Sequence, residues 1–270
     1  MGINQLDLDT RLLRKFEGEI IRVPTTEPTS GNDVYSTELN NYDRLSVGFF
    51  DNRWVYFENG NNAGTSRRVG KTTYDPKLGH LTVYGPSLLA DNAVLMIRVT
   101  RSDWNSRQEV LAQALRELFP ALYSPVVDKS ITATSNVLEY PIPPSLAEGT
   151  IALIDIDNGG NPQPAWGARV VGDKICLVNG QSGVISLTGR IPMKYFTSEV
   201  NELPLTDKQA DLVAEKAAFI MCLNAAAPAT GDEAQRYVNK AQVHGMRVNE
   251  QIGAAAMPSL PGRVIVGALR

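Results

Sequence analysis

The sequence predicts an α+β protein. It should have a helical core, one long helix plus a C-terminal helical hairpin, with two small antiparallel β-sandwich or barrel-like regions. Three observations predict it. Apolar residues recur at three- and four-residue steps near the start, in the middle and toward the end of the chain. Runs of strand formers with period two fill the stretches between. Turn signals rich in Gly, Asn and Pro separate those runs at short spacing. The segments are 1–100, an N-terminal helix plus β domain; 101–123, the core helix; 124–198, an inserted β domain; 199–253, the helical hairpin; and 254–270, an extended tail.

Leu8, Leu12, Leu13, Phe16 and Ile20 have the spacing of a short first helix. Pro24 and Pro28 then impose extended chain. Strands are expected at 54–57, 80–84 and 93–99. The separating turns are Asn59-Gly60-Asn61-Asn62, Asp75 to Gly79, and Gly85-Pro86. Ser102 or Asp103 can cap the core helix. Its stripe is Trp104, Leu111, Leu115, Leu118 and Leu122, and Pro120 stops it. The second β region has strand candidates at 130–133, 137–140, 150–156, 168–171, 174–178 and 183–190. Hairpin-type turns are expected at Asn158 to Asn161 and at Asn179-Gly180.

Thr206 with Gln209 forms a capping box, and Ala210, Val213, Ala217, Ile220 and Met221 form the buried face of the next helix. Thr230 with Glu233 opens the last helix. Ala234, Tyr237, Val238, Ala241, Gly245, Val248 and Ile252 face inward there. The alanine content of the first of these two helices permits close helix–helix approach. In the tail, Pro258 and Pro261 rule out helix, and Val264-Ile265-Val266 is an apolar triplet beside Arg263 and Arg270.

Composition narrows the function classes. The chain has 270 residues, 43% of them hydrophobic, and a formal net charge of −3. Such a balance offers no bulk attraction for nucleic acid. No apolar run is long enough for a membrane helix, and the start of the chain lacks the features of a signal peptide. A soluble protein made in a cytoplasm is expected. The two cysteines, Cys176 and Cys222, read as buried apolar residues.

Candidate chemistry is sparse. His80 and His244 stand outside any catalytic or metal motif. Gly64 to Thr72 has the residue types of a phosphate loop, but five residues separate Gly64 from Gly70 where the loop requires four. Asp155, Asp157, Asn158 and Asn161 lack the helical context of a calcium loop and read as hairpin caps. Glu139 and Asp155 are the carboxylates a hydrolase reading would use. Arg67, Arg68 and Lys71 form a candidate cationic patch. No catalytic residue, metal or cofactor is expected.

The order of elements is the stronger signal. The core helix ends in Arg116-Glu117-Leu118-Phe119-Pro120-Ala121-Leu122-Tyr123-Ser124-Pro125-Val126. The following β region contains Leu138-Glu139-Tyr140-Pro141-Ile142-Pro143, and the alanine-rich hairpin comes next. Upstream lie Phe50 to Phe57, Asn61 to Gly64, Arg67-Arg68-Val69 and Tyr74 to Gly79. Across about four fifths of the chain this resembles the head–tail connector, or portal adaptor, proteins of tailed bacteriophages. The resemblance implies a structural virion protein of the neck, without catalytic residues. Its members form a homo-oligomeric ring, usually of twelve subunits, between the portal and a tail or stopper protein. DNA passes through the channel without specific binding, and no membrane is involved. Carried onto this chain, the portal-docking residues would be Pro258, Leu260, Pro261, Arg263, Val264, Ile265, Val266, Leu269 and Arg270. The rival readings are another tail, collar or baseplate subunit, and a carbohydrate-binding β module using Trp54, Tyr56 and Trp166 as stacking platforms.

Overall fold

Asn4 opens the first helix because its side-chain oxygen accepts from the Asp7 amide at 2.8 Å. The computed structural model describes residues 2–27, 29–42, 48–91, 93–196 and 201–258. Among these, four α-helices accompany several antiparallel sheets, so the chain is a mixed α and β protein. The helices are α1 (Gln5–Phe16), α2 (Trp104–Glu117), α3 (Asp207–Ala226) and α4 (Gly231–Ala255). The strands of the first half are β1 (Ile3–Asn4), β2 (Ile21–Pro24), β3 (Thr29–Gly31), β4 (Asp33–Tyr35), β5 (Trp54–Phe57), β6 (Ser66–Val69), β7 (His80–Tyr84), β8 (Leu88–Asp91) and β9 (Met96–Thr100). Those after α2 are β10 (Ser124–Ala133), β11 (Glu139–Pro141), β12 (Thr150–Asp157), β13 (Pro162–Pro164), β14 (Arg169–Val171), β15 (Lys174–Cys176), β16 (Gly183–Ile191) and β17 (Glu202–Leu203).

The chain divides into two compact units, residues 1–113 with 204–248, and residues 114–203 with 249–270. In the first, one eight-stranded sheet runs in the order β2-β9-β5-β6-β7-β4-β3-β8 and curls as a half-barrel. Its inner face holds Val55, Phe57, Val69, Leu81, Val83, Ile97 and Val99, all buried. Alternation along each strand drives this, since every second side chain points to the same face. The outer face carries Tyr56 and Arg98, which pair across β5 and β9. Of the three turns expected in this region, Asn59 to Asn62 joins the paired strands β5 and β6.

The helices of this unit pack through small residues. Leu8, Leu12 and Leu13 of α1 are buried, as are Ala210, Ala214, Ala217 and Ala218 of α3, and α1 lies against α3. The capping box is present: the Thr206 hydroxyl accepts from the Gln209 amide, and the Gln209 side chain accepts from the Thr206 amide at 2.8 Å. Asp103 is the residue that caps α2, accepting from the Ser106 amide at 3.4 Å.

In the second unit, a four-stranded sheet (β10-β16-β12-β13) and a three-stranded sheet (β11-β15-β14) bury one shared cluster. Ile154, Ile156, Ile185 and Leu187 come from the larger sheet, Tyr140 and Ile175 from the smaller. The Asn158 to Asn161 turn joins the paired strands β12 and β13, as expected. Asn179-Gly180 is not a hairpin turn, because its flanking strands β15 and β16 lie in different sheets. The glycine serves close backbone approach instead: a Cβ there would come 1.8 Å from the Ser135 carbonyl oxygen. Cys222 is buried, whereas Cys176 is only partly so, which corrects the reading of both as buried.

Phe57→Ala, at a fully buried position of the half-barrel, should destabilise the protein by about 3–5 kcal/mol in urea unfolding.

Candidate functional site

Asp9 sits on the apolar face of α1 between Leu8 and Leu12, so the helix carries a carboxylate into the interior. Its Oδ1 accepts from Arg107 Nε at 2.6 Å, and its Oδ2 lies 3.5 Å from Arg98 Nη1. Arg107 occupies the apolar stripe of α2, one turn after Trp104, and is fully buried. Arg98 also contacts Glu58, and Glu58 in turn accepts from Arg22 Nη2 at 2.7 Å. One continuous ionic chain thus ties α1 and α2 to the outer face of the half-barrel. Tyr56 stacks on Trp104 beside it, with ring centroids 3.9 Å apart.

Burial pushes the Asp9 carboxyl above its ordinary value, against the pull of Arg107 and Arg98. Burial acts the same way on Glu58, but the hydrogen bonds from Arg22 and Arg98 outweigh it and hold that carboxyl low. The first outcome is what a desolvation cost larger than the charge attraction produces. Asp9 thus loses more to burial than its pairing returns, whereas Glu58 is held in its charged form.

A second cluster joins three helices. Glu215 of α3 is buried. Its Oε1 accepts from Lys15 Nζ of α1 at 2.8 Å, and its Oε2 accepts from His244 Nδ1 of α4 at 2.6 Å. Arg247 stands 3.6 Å away. Burial raises this carboxyl, yet the hydrogen bonds and charges of His244 and Lys15 win and bring it down to about 2. His244 is a structural partner on the inward face of α4.

The other singled-out residues are placed as follows. His80 Nε2 lies 2.9 Å from Asp33 Oδ1, and its ring stacks on Tyr35. Glu139 is paired with Lys174 at 2.8 Å, and Glu139 and Asp155 each stand next to core-facing residues (Tyr140; Ile154 and Ile156), so both point away from the shared core and do not act as a facing pair. Asp157 caps its turn by accepting from the Gly160 amide at 2.8 Å. Burial pushes the Cys222 thiol up, which disfavours the reactive thiolate. Among the described residues no group of three or more His, Cys, Asp or Glu is placed to hold a metal ion.

Arg67 and Arg68 are successive residues of β6 and point to opposite faces. Arg67 donates to the Ser66 and Pro86 carbonyls, Arg68 donates to Asn52, and Lys71 is exposed in the following turn. They do not project together. Of the proposed stacking platforms, Tyr56 is buried against Trp104, while Trp166 is 74% exposed. Of the docking residues, Pro258 accepts from the Tyr123 hydroxyl. Leu260, Pro261, Arg263, Val264, Ile265, Val266, Leu269 and Arg270 lie outside the described residues.

Sequence reasoning missed Asp9, Arg107, Glu215 and His244 as a set. The available signal was a charged or titratable residue inside an apolar stripe: Arg107 between Trp104 and Leu111, His244 between Ala241 and Val248. No family model matches the chain, and no curated protein matches it.

Asp9→Ala leaves the buried Arg107 guanidinium without a carboxylate, while Arg98 keeps Glu58, and should cost about 3–5 kcal/mol in urea unfolding, with the double change Asp9→Leu, Arg107→Met less destabilising than Asp9→Ala alone. Glu215 titrates lower in the folded protein than its ordinary 4.5, so its stabilisation is complete above that pH and disappears as pH falls toward about 2. Glu215→Gln should flatten this acid limb in unfolding measured across that window.

Proposed function

We propose that the chain is a structural, non-catalytic subunit of a tailed-bacteriophage particle, acting as a head–tail connector between portal and tail. The observation that carries this reading is the set of large apolar side chains left exposed on each unit. On the first, α4 presents Val243 and Met246, 47% and 63% exposed, and α3 presents Leu223. On the second, Trp166, Val178 and Leu138 are exposed. Val178 lies beside Gly167, the residue after Trp166 in the chain. Apolar surface of this kind favours burial against other proteins.

The roles of the buried charges point the same way. Asp9, Glu58 and Glu215 are each held by cations from other elements, which suits a part that bears load rather than one that moves protons. In the proposed assembly α2, α3 and α4 form the helical core, copies of the chain close into a ring, and the channel lets DNA pass without specific contacts. The residues from Pro258 onward then dock on the portal. The protein acts in the virion neck after synthesis in the host cytoplasm. Among the described residues no helix is long and apolar enough to cross a membrane.

Quantitative mass spectrometry of purified particles should find the chain at a fixed stoichiometry of about twelve copies, as a closed ring requires. Its absence from particles would overturn the proposal.

A further inference from the structure

Arginine burial sets up a contrast within the first unit. Arg53, Arg98 and Arg107 are the buried arginines of the described residues. Arg98 and Arg107 each reach a carboxylate, whereas Arg53 makes no ion pair among the described residues. Its Nε donates to the Phe49 carbonyl at 2.6 Å, and its guanidinium carbon lies 3.8 Å above the Phe49 ring. The side chain is thus held in place, only 9% exposed, with its terminal nitrogens left over. The carboxylates of Glu17 and Glu19 act on it only through space, without an ion pair.

Arg53 lines an open cleft of about 620 Å³, together with Arg101, Glu19, Asp51 and Asn52. Arg101 is exposed and also makes no ion pair among the described residues. The nearby Glu17 carboxylate is already engaged at the start of α2. It accepts from the Arg101 and Ser102 amides at 2.8 and 2.9 Å and from the Ser102 hydroxyl. Asp51 is engaged as well, accepting from the Thr72 amide at 2.9 Å. Burial, and then the Arg101 charge, hold the Arg53 guanidinium below its ordinary value, although Glu17 and Glu19 pull the other way.

We propose that this cleft is a carboxylate-binding site in which Arg53 and Arg101 share one monoanionic carboxylate. A planar carboxylate fits the forked donors of a guanidinium, and a pre-positioned Arg53 loses little freedom on binding it. Glu19 and Asp51 at the same cleft disfavour a dianion such as phosphate. The site stands independently of the connector reading, because its ligand can be a free carboxylate or an acidic side chain of a partner.

The test uses the arginine Nε–H signals of the full chain in NMR, at constant ionic strength. The Arg53 signal is assigned by its loss in Arg53→Lys. Acetate and a blocked tripeptide with one central glutamate are titrated separately, with inorganic phosphate as a third arm. The expected result is a saturable shift of the Arg53 signal with a carboxylate, weakened tenfold or more in Arg101→Gln. This variant changes an exposed residue and keeps the fold. Equal binding of acetate and peptide identifies a free carboxylate as sufficient, and tighter peptide binding identifies an acidic side chain. No saturable shift with either carboxylate, tighter binding of phosphate than of both, or unchanged binding in Arg101→Gln would each overturn the assignment.

Discussion

The seating of α1 and α2 on the half-barrel depends on the ionic chain from Arg107 through Asp9 and Arg98 to Glu58. The inner face of that sheet closes on its own apolar core, and on the outer face Arg98 reaches Asp9 of α1 while Tyr56 stacks on Trp104 of α2. Paired charges fill this role differently from apolar side chains. Their geometry is directional, and a helix rotated or slid by one residue would leave a buried charge unpaired. Tyr56 on Trp104 adds the apolar part of the same contact.

The Glu215 cluster repeats the device among helices. α3 packs on α1, and Arg11 of α1 bridges Asp207 and Asp211 at the start of α3. Glu215 is gripped by Lys15 from one side and His244 from the other. Both clusters place their charges where an apolar residue would fit by spacing alone. Their polar groups are consumed in positioning.

Much of the fold was legible in the sequence, and the misses have physical causes. All four helices followed from three- and four-residue periodicity, and the α3 face from Ala210 to Met221 is buried as that periodicity requires. Asn158 to Asn161 signalled a hairpin because its flanking runs pair locally. Asn179-Gly180 carried the same local signal, but β15 before it pairs with β14 and β11 and β16 after it with β10 and β12, and no local motif reports which strands will pair. The packing of α1 on α3 was invisible for the same reason. The buried charges were partly legible. Arg107 and His244 break apolar stripes, but spacing alone does not tell which carboxylate each will meet. Arg53 gave no signal at all, since its burial comes from its own contact with Phe49.

The most direct measurement is a cryo-electron-microscopy reconstruction of the purified particle. The account predicts a closed ring of this chain at the junction of head and tail, with Val243, Met246 and Trp166 covered by neighbouring chains. A map in which those side chains face solvent, or in which the junction holds no such ring, would contradict it.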